Sequence, residues 1–147
     1  MELLDILKIS PLFSSLSKNI QWRISALAQI KSFEKGDYLC HQGDQGDYCY
    51  IVKSGKVEVF FETASNKKIH ISDVGIGDIL GELSLIDGLP RSASMIAIEP
   101  TETFAIASLD FQMQLQSYPE IALQLLPVIT KRLRQAQEQL IKRVDND

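Results

Sequence analysis

The chain is poor in the residues that most often carry cross-links, metals or covalent chemistry. Of its 147 residues only two are cysteine and two are histidine. Cys40 and Cys49 do not form a C-x-x-C pair, and two thiols make no disulfide framework. They read as small apolar strand residues, reduced in a cytoplasmic chain. His41 and His70 have no H-x-H or H-E-x-x-H partner, so the spacing offers no metal site and no Ser/His/Asp constellation. Positive charge is not in excess: the net charge of −4 argues against a protein whose main task is gripping nucleic-acid phosphates. No apolar run is long enough to span a bilayer. The acidic start, Met1-Glu2-Leu3-Leu4-Asp5, lacks the basic opening of a signal peptide, so a cytoplasmic location is expected. A P-loop lysine motif is missing, and Gly75-Ile76-Gly77 with Gly81 does not make G-x-G-x-x-G.

What is present divides into three zones of one domain-sized chain. Hydrophobic content of 45% and charged content of 23% are ordinary for a globular fold. Residues 1–29 read as helical: Leu3, Leu4 and Leu7 share a face, and Pro11 stops that helix. Ser17 is placed to cap a second helix carrying Ile20, Ile24, Leu27 and Ala28. Residues 30–107 read as short strands. Tyr50-Ile51-Val52 is a buried run; Val57, Val59 and Phe61 alternate with Glu58 and Phe60, and Ile69 and Ile71 with His70 and Ser72. Turn signals at Gly36-Asp37, Gly43-Asp44, Gly55 and Gly75-Ile76-Gly77-Asp78 separate the runs, a spacing that suggests a barrel, roll or sandwich. Residues 108–147 are helical again. Ser108 is expected to cap a helix through Phe111 and Leu115, and Pro119 suits the first turn of a longer one. There Ala122, Leu126, Ile129, Leu133, Ala136 and Leu140 form an a/d seam that suggests a dimer, the plainer reading being a helix lying on its own β-core. Pro127 inside that seam predicts a kink or a fresh helix start.

The most informative stretch runs from Gly77 to Ser94. Gly81 lets the backbone turn and approach a neighbour closely, and Glu82 to Ile86 fit one helical turn. Free amides at that turn's start suit an anion. Gly88 and Pro90 close the turn, and Arg91 leads into the next strand. An arginine beside free amides suits a phosphate, and a carboxylate, which only accepts, suits a ligand hydroxyl. The competing reading is a Glu82–Arg91 salt bridge across a loop.

The stretch Leu80-Gly81-Glu82-Leu83-Ser84-Leu85, followed by Pro90-Arg91-Ser92-Ala93, resembles the phosphate-binding cassette of the cyclic nucleotide-binding domain family. Gly43-Asp44-Gln45-Gly46-Asp47 through Tyr50-Ile51-Val52 to Gly55-Lys56-Val57 is similar to a second mark of that family, and Phe33-Glu34-Lys35-Gly36-Asp37 to a third. These two rest on turn formers and bear on the fold. The resemblance implies an α+β fold: an eight-stranded antiparallel, jelly-roll-like β-roll with N-terminal helices, the cassette at 80–93 and two C-terminal helices. It implies that Glu82 accepts from a ribose 2′-hydroxyl and Arg91 pairs with the cyclic phosphate. Amides from Gly81 to Leu83, with the Ser92 hydroxyl or Ala93 amide, would complete the phosphate cradle, and Val59 and Ile71 would pack base or sugar. Hydroxyl residues that meet the base from the long helix in bacterial regulators are replaced by Gln135-Ala136-Gln137, where Gln137 is the candidate to reach a base edge.

The expectation is a regulatory module for cyclic AMP, less so cyclic GMP, that needs no cofactor, catalyses nothing and moves its C-terminal helices on binding. A homodimer through 122–140 and an unknown effector protein are the expected partners, with no direct DNA or membrane contact. Two alternatives remain: an interaction module of the same fold with its pocket unused, and a β-roll metalloenzyme.

Overall fold

The computed structural model describes residues 2–146. Two N-terminal helices, α1 (Leu3–Ile9) and α2 (Lys18–Leu27), precede β1 (Gln29–Phe33), β2 (Tyr38–Cys40), β3 (Tyr48–Ser54), β4 (Val57–Glu62), β5 (Lys68–Val74) and β6 (Ile79–Leu80). The short helix α3 (Glu82–Asp87) follows, then β7 (Ser94–Ala97), β8 (Thr101–Ala107), α4 (Ser108–Ser117) and the long α5 (Glu120–Asp145). The strands form two four-stranded antiparallel sheets, ordered β1-β8-β3-β6 and β2-β7-β4-β5. This is the expected antiparallel roll.

The continuous apolar run Tyr50-Ile51-Val52 has a structural cause: β3 is covered on both faces. Cys49 and Ile51 point to the helices, joining Phe104 and Ile106 of β8, Phe13, Leu85, Phe111, Ile121 and Leu125. Tyr50 and Val52 point into the roll with Leu39, Val57, Leu80, Met95 and Ala97. Alternation places one set in each core because successive strand side chains face opposite ways. The helices thus sit on one sheet, and the other sheet leaves a face for solvent.

Two local expectations are corrected and one is narrowed. Ser108 does not cap α4; it is the helix's first residue, and its buried hydroxyl donates to the Gly46 carbonyl at 2.6 Å. Of the kink or fresh start expected at Pro127, the fresh start is excluded, because α5 runs unbroken from Glu120 to Asp145. Pro127 and Leu123 are both exposed, so water can reach the Leu123 carbonyl that loses its donor. The simple alternation expected for β4 and β5 also fails. Val59 opposes Ser72 while the next residue, Phe60, opposes His70, so Ile71 is an extra, bulged residue. Phe60 is buried on the face it shares with Glu58 and His70, against Tyr38 and beneath Lys68, while Phe61, Ile69 and Ile71 are exposed. Ser17 precedes α2 as expected, without a side-chain capping bond.

Of the a/d seam of α5 only its first part nears the core: Ile129 packs against it and Ala122 is half-buried, but the seam's leucines do not pack there. Ile121 and Leu125 are buried and Val128 is partly so, a stripe displaced from the seam. Leu126, Leu133 and Leu140 are 56%, 60% and 62% exposed. No helix among the described residues is long and apolar enough to cross a membrane.

Candidate functional site

A cleft of about 500 Å³ opens where β4 and β5 meet the β6–α3–β7 segment. All eight residues singled out from the sequence line it: Val59, Ile71, Gly81, Glu82, Leu83, Arg91, Ser92 and Ala93. The walls are apolar on the strand side, from Val59, Ile71, Val74 and Met95, and polar at the cassette. A second depression of similar volume lies at His41, Gln42, Phe61 and Thr63, but no buried charged side chain faces it.

Arg91 is the unusual member. It is 5% exposed, and no carboxylate among the described residues lies within ion-pairing distance. Its Nη1 donates to the Gly81 carbonyl at 3.1 Å, and its buried Nε has no partner. A buried guanidinium held by one neutral acceptor is costly, because the desolvation of its charge is not offset by a counter-ion. The arrangement keeps one positive charge at the cleft with donors to spare. It also excludes the Glu82–Arg91 salt bridge that spacing alone allowed.

The local sequence holds that guanidinium in place. Gly81 takes a left-handed conformation, φ +77°, at the start of α3, and a Cβ there would collide with Arg91 Nη1. Only glycine combines that backbone with that proximity. Behind the cleft, the Arg91 amide donates to the Asp44 carbonyl at 2.8 Å, and the Gly43 amide donates to the Arg91 carbonyl at 2.8 Å. Asp44 Oδ2 in turn accepts from the His41 amide at 2.9 Å. The Gly43-Asp44 turn, read from the sequence as a fold marker, therefore clamps the backbone of Arg91. Ser84 closes the other side by donating to the Leu89 carbonyl at 2.9 Å, and Gly46 leaves room for the Ser84 side chain.

Glu82 is held from a distance in sequence. Arg132 Nη2 of α5 donates to Glu82 Oε1 at 3.0 Å. Arg132 extends the core-facing stripe Ile121, Leu125, Val128 by one further helical step, and that spacing is the signal that could have found it. Gln135, Ala136 and Gln137 are exposed and do not line the cleft, whereas Ser72, opposite Val59, does.

Burial dominates the titration of the groups behind Arg91. Desolvation raises the Cys40 thiol, with the Arg91 charge opposing it, and raises the Tyr50 phenol to about 12. Cys49, fully buried, is raised further. Both thiols are unpaired and protonated at neutral pH, so neither is an activated nucleophile.

A β-roll thus gathers a buried arginine, a carboxylate and a short helix around one cleft, an arrangement on a fold shared with known proteins. The profile described as "Cyclic nucleotide-binding domain" matches residues 30–118, and the chain belongs to that family. It is 33% identical to the cyclic AMP receptor protein of Thermus thermophilus, over 91% of this chain and 62% of that one. It is 33% identical to the crystallised N-terminal domain of a transcriptional regulator from Streptomyces coelicolor, with a TM-score of 0.81, covering 91% and 96% of the two chains. The regulatory domain of Toxoplasma gondii PKA, solved with cAMP, is similar at 28% identity and a TM-score of 0.71, over 76% of this chain and 42% of that one. The chain spans less than two thirds of the length of the curated relatives it matches.

Proposed function

We propose that the chain, as a single unit over residues 1–147, is a regulatory sensor of a cyclic nucleotide, cyclic AMP in preference to cyclic GMP. The observation that carries this reading is Arg91, buried beside the cleft with no counter-charge among the described residues. A cyclic phosphate brings one negative charge and acceptors for its unused donors. Amides at the start of α3 from Gly81 to Leu83, with Ser92 and the Ala93 amide, are suited to the remaining phosphate oxygens. Glu82 Oε2 is not used by Arg132 and suits the ribose 2′-hydroxyl. Val59 and Ile71 suit the apolar faces of base and sugar. The preference for cyclic AMP rests on the relatives whose names or structures carry it.

Ligand binding at Glu82 bears on Arg132, and so on the placement of α5. This supports a module that turns occupancy into movement of its terminal helices, performs no chemistry on the ligand and requires no cofactor. The exposed Leu126, Leu133 and Leu140 support a homodimer along 122–140, with an effector protein downstream. Direct DNA contact is not part of this reading. The two unpaired buried thiols suit a reducing, cytoplasmic setting.

Thermal unfolding with cyclic AMP, 2′-deoxy cyclic AMP and linear 5′-AMP tests the assignment. The reading expects cyclic AMP to stabilise most, with loss of the 2′-hydroxyl or of the ring weakening the effect. Equal stabilisation by all three would contradict the roles of Glu82 and Arg91. No stabilisation by any cyclic nucleotide would favour an interaction module that works through the exposed α5 seam.

A further inference from the structure

His70 has no partner along the sequence, yet the β4–β5 hairpin supplies two. Cross-strand partners share a face, and Glu58 opposes Asp73 while Phe60, two residues on, opposes His70. The bulge at Ile71 therefore brings His70 and Asp73, three apart, onto the face of Glu58 and away from the cleft. His70 Nδ1 lies 2.8 Å from Glu58 Oε2, and His70 Nε2 lies 3.9 Å from Asp73 Oδ1. One donor atom from each residue falls within 4.8 Å of the others. Tetrahedral coordination at about 2.0–2.2 Å places ligand atoms about 3.3–3.6 Å apart, within reach of small rotamer changes.

The chemistry selects the ion. An imidazole nitrogen with two carboxylates suits zinc or a similar d-block divalent ion, and disfavours calcium or magnesium, which take oxygen shells. Charge favours the same answer, since Glu58 and Asp73 stand directly opposite each other and like charges at paired positions repel. Lys68 Nζ, 2.9 Å from Glu58 Oε1, offsets part of that repulsion but does not occupy Oε2, which faces His70 Nδ1 at 2.8 Å. We propose that Glu58, His70 and Asp73 form a three-ligand site for a zinc-class divalent ion on the outer face of the β4–β5 hairpin. Bound there, the ion would pin the bulge whose other face presents Ser72 to the cleft.

The test uses the full chain stripped of metal with a chelator, then titrated with zinc chloride against a chromophoric chelator. One equivalent is expected, with affinity falling at least about tenfold in His70→Ala and in Asp73→Asn. His70 and Asp73 are half-exposed, so both variants should fold, which circular dichroism checks. In the wild type, zinc should shift the His70 ring resonances and leave those of His41 in place. Arg91→Ala should keep its zinc affinity, which separates this site from the proposed nucleotide cleft. Failure of the wild type to bind zinc, unchanged affinity in His70→Ala, or shifts confined to His41 would overturn the proposal.

Discussion

Arg132 reaches from α5 to Glu82 of α3, joining by a 3.0 Å bond two residues fifty apart in sequence. Their side chains are 43% and 20% exposed, so the pair contributes little to stability, about 0–1 kcal/mol. Its consequence is positional, because one partner lines the cleft and the other lies where α5 leaves the domain surface. Arg132→Ala should leave the melting temperature nearly unchanged. It should abolish the ligand-dependent change in amide exchange along α5. Unaltered coupling in that variant would mean that α5 is moved through another contact.

Arg91 predicts opposite effects on stability and binding. Arg91→Met replaces a buried, unpaired charge by an apolar side chain of comparable length, which relieves a desolvation cost. The free protein should become more stable in urea, while cyclic nucleotide affinity should fall by about 2–5 kcal/mol. A less stable variant would indicate that the Gly81 carbonyl bond outweighs the burial penalty.

Gly81 is predicted to tolerate no side chain. Gly81→Ala imposes a left-handed conformation that costs an L-residue about 1–2 kcal/mol, and its methyl group would push against the Arg91 guanidinium. Both the urea midpoint and ligand affinity should drop. A control at Gly77, also left-handed but with open space around it, should lose stability without losing affinity.

Alkaline pH should weaken the fold. Cys40, Cys49 and Tyr50 all have proton affinities raised by burial, so the unfolded chain releases these protons at lower pH than the native one. Stability from these groups is complete below the ordinary thiol value of about 8.5 and declines as pH rises above it, first through the thiols and then Tyr50. Urea midpoints at pH 7 and pH 10 check the sign. Native thiols should also resist alkylation at pH 8 until unfolding exposes them.

The α5 seam predicts association. Leu133→Asp places a charge at the centre of the exposed stripe and should convert a dimer to a monomer in sedimentation, with the cleft's affinity measured alongside. A wild-type chain that sediments as a monomer at all concentrations would remove the seam from the account.

Much of this was readable along the chain because it is local. Gly81, Gly88 and Pro90 punctuate the cassette, and the eight cleft residues follow from that short motif and two strand positions. The two-sided burial of Tyr50-Ile51-Val52 follows from an unbroken apolar run. What escaped depends on pairing across the chain. The bulge at Ile71 is set by how β5 registers against β4, and no alternation within either strand reveals it. Arg132 looks like a solvated charge until α5 is docked, when the helical stripe brings it to Glu82. The role of Gly43-Asp44 in clamping Arg91 likewise requires two loops to meet.

The central claim is that Arg91 awaits a cyclic phosphate. Calorimetric titration of the folded chain with cyclic AMP and cyclic GMP, beside Arg91→Ala, tests it most directly. The account predicts micromolar or tighter binding, stronger for cyclic AMP, that collapses in the variant. Absence of binding to either nucleotide, or binding indifferent to the loss of Arg91, would contradict it.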